Sequence, residues 1–337
     1  PSFFSISMVN LPLLFKSVGS LFYNSIRFLK QLCILKQMEI FIKDEKLIEK
    51  EDWEKLMSSI ETKYKNLEAN KERAKRNLSN LIEKAIVSRA ENIGKFGILF
   101  SGGIDSTLIA FLCKQHNYDF TCFTIGLENS QDIEYSKRIA EKYDFNLKYE
   151  ILSLEEFENV IKNVVKILQS HDIVWVSVGS VVYATAQIAL QSNIKILFGG
   201  LGTEEIFAGY QRHDGALKQN NFESVHKESW NGLKNMWTRD LLRDYKISKH
   251  LGVELRTPYM DSNVIKTAMS TNPMYKIDKT EKKIILREIA EDFGLDKEFA
   301  WRKKKAAQYG SNFVKGIDKL AKKHGFNTKK EYLQSLL

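Results

Sequence analysis

The apolar run Phe96-Gly97-Ile98-Leu99-Phe100 passes directly into Ser101-Gly102-Gly103-Ile104-Asp105-Ser106, and this junction constrains the chain more than any other segment. A short run with no polar interruption suits a strand buried on both faces, as in a parallel sheet covered by helices. The glycines permit a sharp turn and close approach to a ligand. A helix starting there offers unpaired N–H groups and partial positive charge, which favour phosphate. Ser101 and Ser106 can add hydroxyls. Asp105 is out of place beside a phosphate unless a divalent cation lies between them, and Mg²⁺ commonly joins carboxylate to phosphate oxygens in that way. The bland alternative is a strand–helix turn capped by Ser and Asp. No G-x-x-x-x-G-K-[ST] pattern occurs, so the loop is not of the Walker type.

Downstream the text alternates. Strands are expected at 96–100, 119–126, 147–152 and 194–200, and helices at 105–116, 132–145, 154–168 and 179–191. This alternation predicts an α/β fold with a doubly wound parallel sheet, in which ligands bind beyond the carboxyl ends of the strands. Both glycine-rich turns, 101–103 and 199–202, fall at that edge. A helical segment at 44–92 precedes the sheet, and the chain beyond Tyr210 reads as mostly helical. The second turn, Gly199-Gly200-Leu201-Gly202-Thr203-Glu204-Glu205, carries two carboxylates, which alone would read as the acidic first turn of a helix. Taken alone, Arg302-Lys303-Lys304-Lys305 is a solvated cationic run.

Hydrophobic residues make up 43% and charged residues 28% of the 337, which excludes wholesale disorder. A net charge of +9 permits a polyanionic ligand such as ATP without requiring nucleic acid, which is not expected as a partner. The cysteines, Cys33, Cys113 and Cys122, are too few and scattered for a disulfide framework, and a reducing, cytoplasmic setting is the default. Residues 1–37 are apolar but broken by Asn10, Lys16, Asn24, Arg27 and Lys30, a poor match to a membrane span. They are expected to be an extension outside the core. Residues 38–93 are expected to form a helical segment, 94–320 the main α/β domain and 321–337 a helical tail.

These motifs carry a family resemblance. SGGIDS resembles the pyrophosphate-binding loop of the ATP-pyrophosphatase superfamily. Further blocks are FTIGLENSQDI at 123–133, LFGGLGTEEIFAGYQRH at 197–213, GVELRTPYMD at 252–261, EKKIILREIA at 281–290 and WRKKKAAQYGS at 301–311. Together they resemble the synthetase domain of the asparagine synthetase family, nearest to asparagine synthetase domain-containing proteins. The resemblance implies ATP and Mg²⁺ as cofactors. It implies activation of a carboxylate, aspartate first, as an acyl-adenylate with release of pyrophosphate, and then amidation by ammonia. It places Ser101, Gly102, Gly103, Asp105 and Ser106 on the pyrophosphate, Thr124, Ile125 and Gly126 at the adenine pocket, and Gly200 at the nucleotide. Asp105 and Glu204 would hold the metal, with Lys304, or else Lys305, stabilising phosphate charge. Arg256, Asp261 and Arg287 are expected to organise the site, and His213 to be no metal ligand. Leu201 is a departure, because relatives that use glutamine generally carry a glutamate there, and leucine cannot accept a proton. No glutaminase domain is expected, so ammonia would come from solution or from a separate glutaminase subunit. A tRNA-modifying pyrophosphatase and a degenerate nucleotide-binding module are the competing readings.

Overall fold

In the computed structural model, which describes residues 39–218, 221–303 and 305–337, a five-stranded parallel sheet has β1 (Phe96–Leu99) at its centre. On one side lie β2 (Phe120–Gly126) and then β3 (Leu147–Ile151); on the other lie β4 (Ile196–Phe198) and then β5 (Glu254–Arg256). Ile98 of β1 stands level with Cys122 of β2 and Phe198 of β4. The chain leaves β1 toward β2 and later returns to its opposite side as β4. The strand order therefore reverses between β1 and β4, where an open α/β sheet leaves a crevice for ligands. The doubly wound α/β fold is thus present. β5 was not expected from the sequence, because three residues between helices are too few to show alternation. The expected extension at 1–37 lies outside the described residues.

Before the sheet the continuous helix expected over 44–92 is broken. A two-stranded ribbon pairs Ile42–Lys43 with Lys46–Leu47, and Asp44 and Glu45 turn at positive φ. α1 (Lys50–Ser59) and α2 (Lys71–Ala90) follow, separated by a segment that pairs with the C-terminal half of the chain: Glu68 N–H donates to the Ser270 carbonyl at 2.7 Å. The Asn70 side chain accepts the Arg73 N–H and starts α2 afresh. Helical periodicity does not register a break made by tertiary pairing. Trp53 of α1 is fully buried, and its indole N–H donates to the Leu233 carbonyl at 2.8 Å.

Four helices wrap the sheet: α3 (Ile104–Gln115), α4 (Gln131–Tyr143), α5 (Leu154–Leu168) and α6 (Ile173–Gln191). α5 begins with a reciprocal capping box between Ser153 and Glu156. α6 begins at Ile173, ahead of the expected 179, because the Asp172 carboxylate accepts the Trp175 N–H at 2.8 Å. It is long and apolar enough to cross a membrane. Here it packs instead against α5, the helix Leu242–Leu251 and the sheet, which accounts for its composition.

The centre of the sheet is tight. A Cβ added at Gly97 in β1 would lie 2.5 Å from Leu197 Cδ2 and 2.8 Å from Phe123 Cε2. Gly97→Val is therefore expected to cost at least the ~1–3 kcal/mol typical of overpacking, read as a lower urea midpoint. At the periphery, Glu158 of α5 pairs with Lys162 at 2.6 Å, His324 at 3.1 Å and Lys323 at 3.3 Å, tying α5 to the helix Phe313–Lys323. These bonds, the one from Lys162 foremost, hold its carboxyl down at about 2. That stabilisation is complete above the ordinary value of 4.5 and is lost as pH falls toward about 2. Glu158→Gln should flatten the acid limb of a stability–pH curve in that window and leave its neutral region parallel to the parent's.

Candidate active site

The loop after β1 closes on itself before it meets any ligand. Gly102 sits at φ 62°, a left-handed conformation that suits glycine, and Gly103 caps α3. Ser106 is buried. Its hydroxyl oxygen accepts the Ser101 N–H at 3.3 Å and its hydroxyl donates to the Gly103 carbonyl at 3.3 Å. Arg302 braces the loop from the far end of the sequence. Its Nη1 donates to the carbonyls of Ser101 at 3.0 Å and Gly102 at 2.8 Å. Its guanidinium lies 3.8 Å from the Tyr135 ring centroid and pairs with Asp132 at 3.4 Å. The loop carbonyls are thus turned onto Arg302, leaving the N–H groups at the start of α3 facing away from it.

The loop after β4 comes within van der Waals reach. A Cβ on Gly200 would lie 2.7 Å from the Cβ of Asp105, so only glycine fits between the two loops. The acidic pair diverges. Glu205 is buried and pairs with Arg239, with Arg212 at 3.6 Å, and burial pushes its carboxyl up to about 7. Glu204 turns the other way, to Lys283. The Lys283 ammonium donates to both oxygens of Asp105 at 2.9 and 2.8 Å, to Glu204 at 2.7 Å and to Thr203 at 3.2 Å. Lys283 is itself buried, which disfavours its charge, but Asp105 and Glu204 outweigh burial and raise its pKa above the ordinary value.

Sequence reasoning passed over this lysine, although its block, EKKIILREIA, was in view. Lys283 precedes the helix Ile284–Asp292 and adopts a left-handed conformation with φ 57°, costly for a side-chain-bearing residue. The signal is faint, since a lysine at a helix start looks like any other. Tyr259 was also missed; its hydroxyl donates to the Asp105 carbonyl at 2.9 Å from below the loop.

Between the carboxyl ends of β1, β2 and β4 lies a cavity of about 210 Å³. Ser101, Thr124, Ile125 and Gly200 line it, and Leu201 forms part of its wall. The Thr124 hydroxyl donates to the Phe100 carbonyl at 2.6 Å. Gly126 does not reach the cavity; the space a side chain would fill there is taken by Ser130, whose Oγ would lie 2.4 Å from an added Cβ. Lys305 is exposed, Lys303 pairs with Glu281 at 3.1 Å, and Lys304 lies outside the described residues. Arg256 bonds the Arg89 carbonyl, Arg89 lies 3.5 Å from Asp261, and Arg287 holds the carbonyls of Ala300 and Arg302 at 2.6 and 3.2 Å. These residues brace the site from outside. His213 is buried; its Nδ1 accepts the Tyr210 N–H at 3.1 Å, and burial depresses its pKa to about 3. Among the described residues no cluster of three or more His, Cys, Asp or Glu stands ready for a metal.

The model of the asparagine synthase family matches residues 77–226 and 217–331. The chain belongs to the asparagine synthase family. It is 32% identical over 313 residues to a putative glutamine-hydrolysing asparagine synthetase of Methanocaldococcus jannaschii, spanning 81% of this chain and 58% of that protein. It is 28% identical over 267 residues to the nodule asparagine synthetase of Pisum sativum, spanning 73% and 45%. The chain thus spans about half the length of the curated relatives it matches. Among solved structures, the NH3-dependent NAD synthetase of Campylobacter jejuni aligns with 55% of this chain and 93% of its own, at TM-score 0.30 and 19% identity. The family match covers both glycine-rich loops and Lys283.

Removing the bridging cation should expose its importance. Lys283→Met leaves Asp105 and Glu204 facing each other uncompensated. Breaking a fully buried pair costs ~3–5 kcal/mol. Here the Glu204 side chain is 39% exposed, so solvent relieves part of the repulsion and a smaller loss is expected. Mg²⁺ should raise the melting temperature of Lys283→Met more than that of the parent, because a divalent cation can take the ammonium's place; equal shifts would contradict this.

Proposed function

We propose that this chain uses ATP to activate a carboxylic acid as an acyl-adenylate, releases pyrophosphate, and transfers the acyl group to an amine. Family membership supports the reading. The observation that carries it is the convergence of the braced SGGIDS loop and the Gly199–Glu205 loop, joined to each other by Lys283, beside one cavity on the strand ends that Ser101, Gly199 and Gly200 line. Aspartate and ammonia are the substrate pair the family brings forward, with ammonia drawn from solution or from a glutaminase.

In this reading the SGGIDS backbone and the start of α3 bind the leaving pyrophosphate, and Arg302 keeps the loop carbonyls turned away from it. Thr124 and Ile125 shape the adenine side of the cavity. Gly126 acts indirectly, by admitting the Ser130 cap of α4. Asp105 and Glu204 present two hard carboxylates to a single ammonium, so the group retains net negative charge and its donors suit Mg²⁺. When bound, Mg²⁺ would neutralise phosphate charge. Lys283 orients both carboxylates toward one point, and Lys304 and Lys305 would add positive charge near the departing phosphates. A cytoplasmic setting fits Cys113 and Cys122, which are free and buried. Burial raises the pKa of both thiols, which disfavours the sulfur-transfer chemistry of a tRNA-modifying relative.

ATP–pyrophosphate exchange tests the proposal. Exchange should depend on an added carboxylic acid, with aspartate as the first, and Asp105→Ala should lower it by about 10²-fold or more. The same variant should lose most of the thermal stabilisation that Mg-ATP gives the parent. Absence of acid-dependent exchange in a parent that binds Mg-ATP would refute the reading.

A further inference from the structure

Besides Ser101, Thr124 and Ile125, the same cavity is lined by Val181, Val182, Thr185, Leu201, Leu255 and Asp244. Two carboxylates, Asp132 and Asp244, line the cavity, and no described lining residue is a lysine, arginine or histidine. Asp132 is almost wholly buried and lies against Arg302. Asp105 and Glu204 are engaged by Lys283.

Asp244 differs from these. It sits on the helix Leu242–Leu251, which packs along α6, and its Oδ1 accepts from Arg243 Nε at 2.7 Å. Its side chain retains 15% exposure, and Oδ2 has no hydrogen-bond partner among the described residues. Burial raises its carboxyl above the ordinary range, with Asp240 adding to the effect and Arg243 opposing it.

Acyl transfer to an amine needs such a group. The nitrogen lone pair attacks the acyl carbon and a C–N bond forms. The bond from that carbon to the adenylate oxygen breaks, and AMP leaves with the electron pair. The nitrogen must then shed one proton to become an amide, and in an apolar compartment that proton needs a local acceptor. Leucine at 201 supplies none. We infer that Asp244 is a catalytic residue of this second half-reaction, its free carboxylate oxygen receiving the attacking amine and taking its proton. This inference rests on the proposed adenylation.

The experiment measures both half-reactions on the full chain, using aspartate and an ammonium salt. Asp244→Asn keeps the side chain's shape and removes the base. Amide formation should fall by about 10²–10⁴-fold, while ATP–pyrophosphate exchange stays within about threefold of the parent. Leu201→Glu added to Asp244→Asn should restore at least about tenfold of the amide rate, because it returns a carboxylate to the same compartment. If Asp244→Asn weakens the fold, Asp244→Glu retains the partner of Arg243 and displaces the oxygen; amide formation should then fall about tenfold or more with exchange unchanged. Amide formation at the parent rate in these variants overturns the inference, as does an equal loss of exchange and amide formation. A parent that shows no acid-dependent exchange refutes the adenylation reading instead, and this inference falls with it.

Discussion

A single ammonium ties together the two glycine-rich loops at the carboxyl edge of the sheet. Lys283 joins Asp105 on the loop after β1, Glu204 and Thr203 on the loop after β4, and the helix Ile284–Asp292. Each carboxylate lies in the first turn of a helix, and with no cation between them the two would repel each other. The lysine offsets part of that charge and fixes where both carboxylates point. Its own burial is unfavourable and is compensated only because two carboxylates share it. Its left-handed backbone is a second local cost at the same position.

Around that bridge the fold brings distant segments to one edge. The sheet opens between β1 and β4, which places the two glycine-rich turns side by side. Arg302 then reaches back to the carbonyls of Ser101 and Gly102, and Arg287 holds the carbonyls of Ala300 and Arg302. The SGGIDS loop thus depends on residues about two hundred positions away. Close approach is allowed by Gly200, whose lack of a side chain admits Asp105. Beyond these loops the cavity is lined by residues of β2, α6, β5 and the helix Leu242–Leu251.

The sequence by itself determined the class of fold. Buried parallel strands must be apolar on both faces, so β1 and β2 announce themselves. Thr124, Ile125 and Gly200, singled out by the family resemblance, line the cavity. Local signals failed where long-range contacts decide. The break between α1 and α2 comes from pairing with Ser270, and β5 exists only because β4 offers it an edge. Gly126 looked like a ligand contact and instead makes room for a cap. Lys283, Arg302 and Asp244 gave no sign of their places, because a charged side chain's partner is set by where the chain returns in space and not by its sequence neighbours. Tertiary structure alone decided which cation meets which carboxylate, and at Asp244, which lines the cavity, it left one oxygen with no hydrogen-bond partner among the described residues.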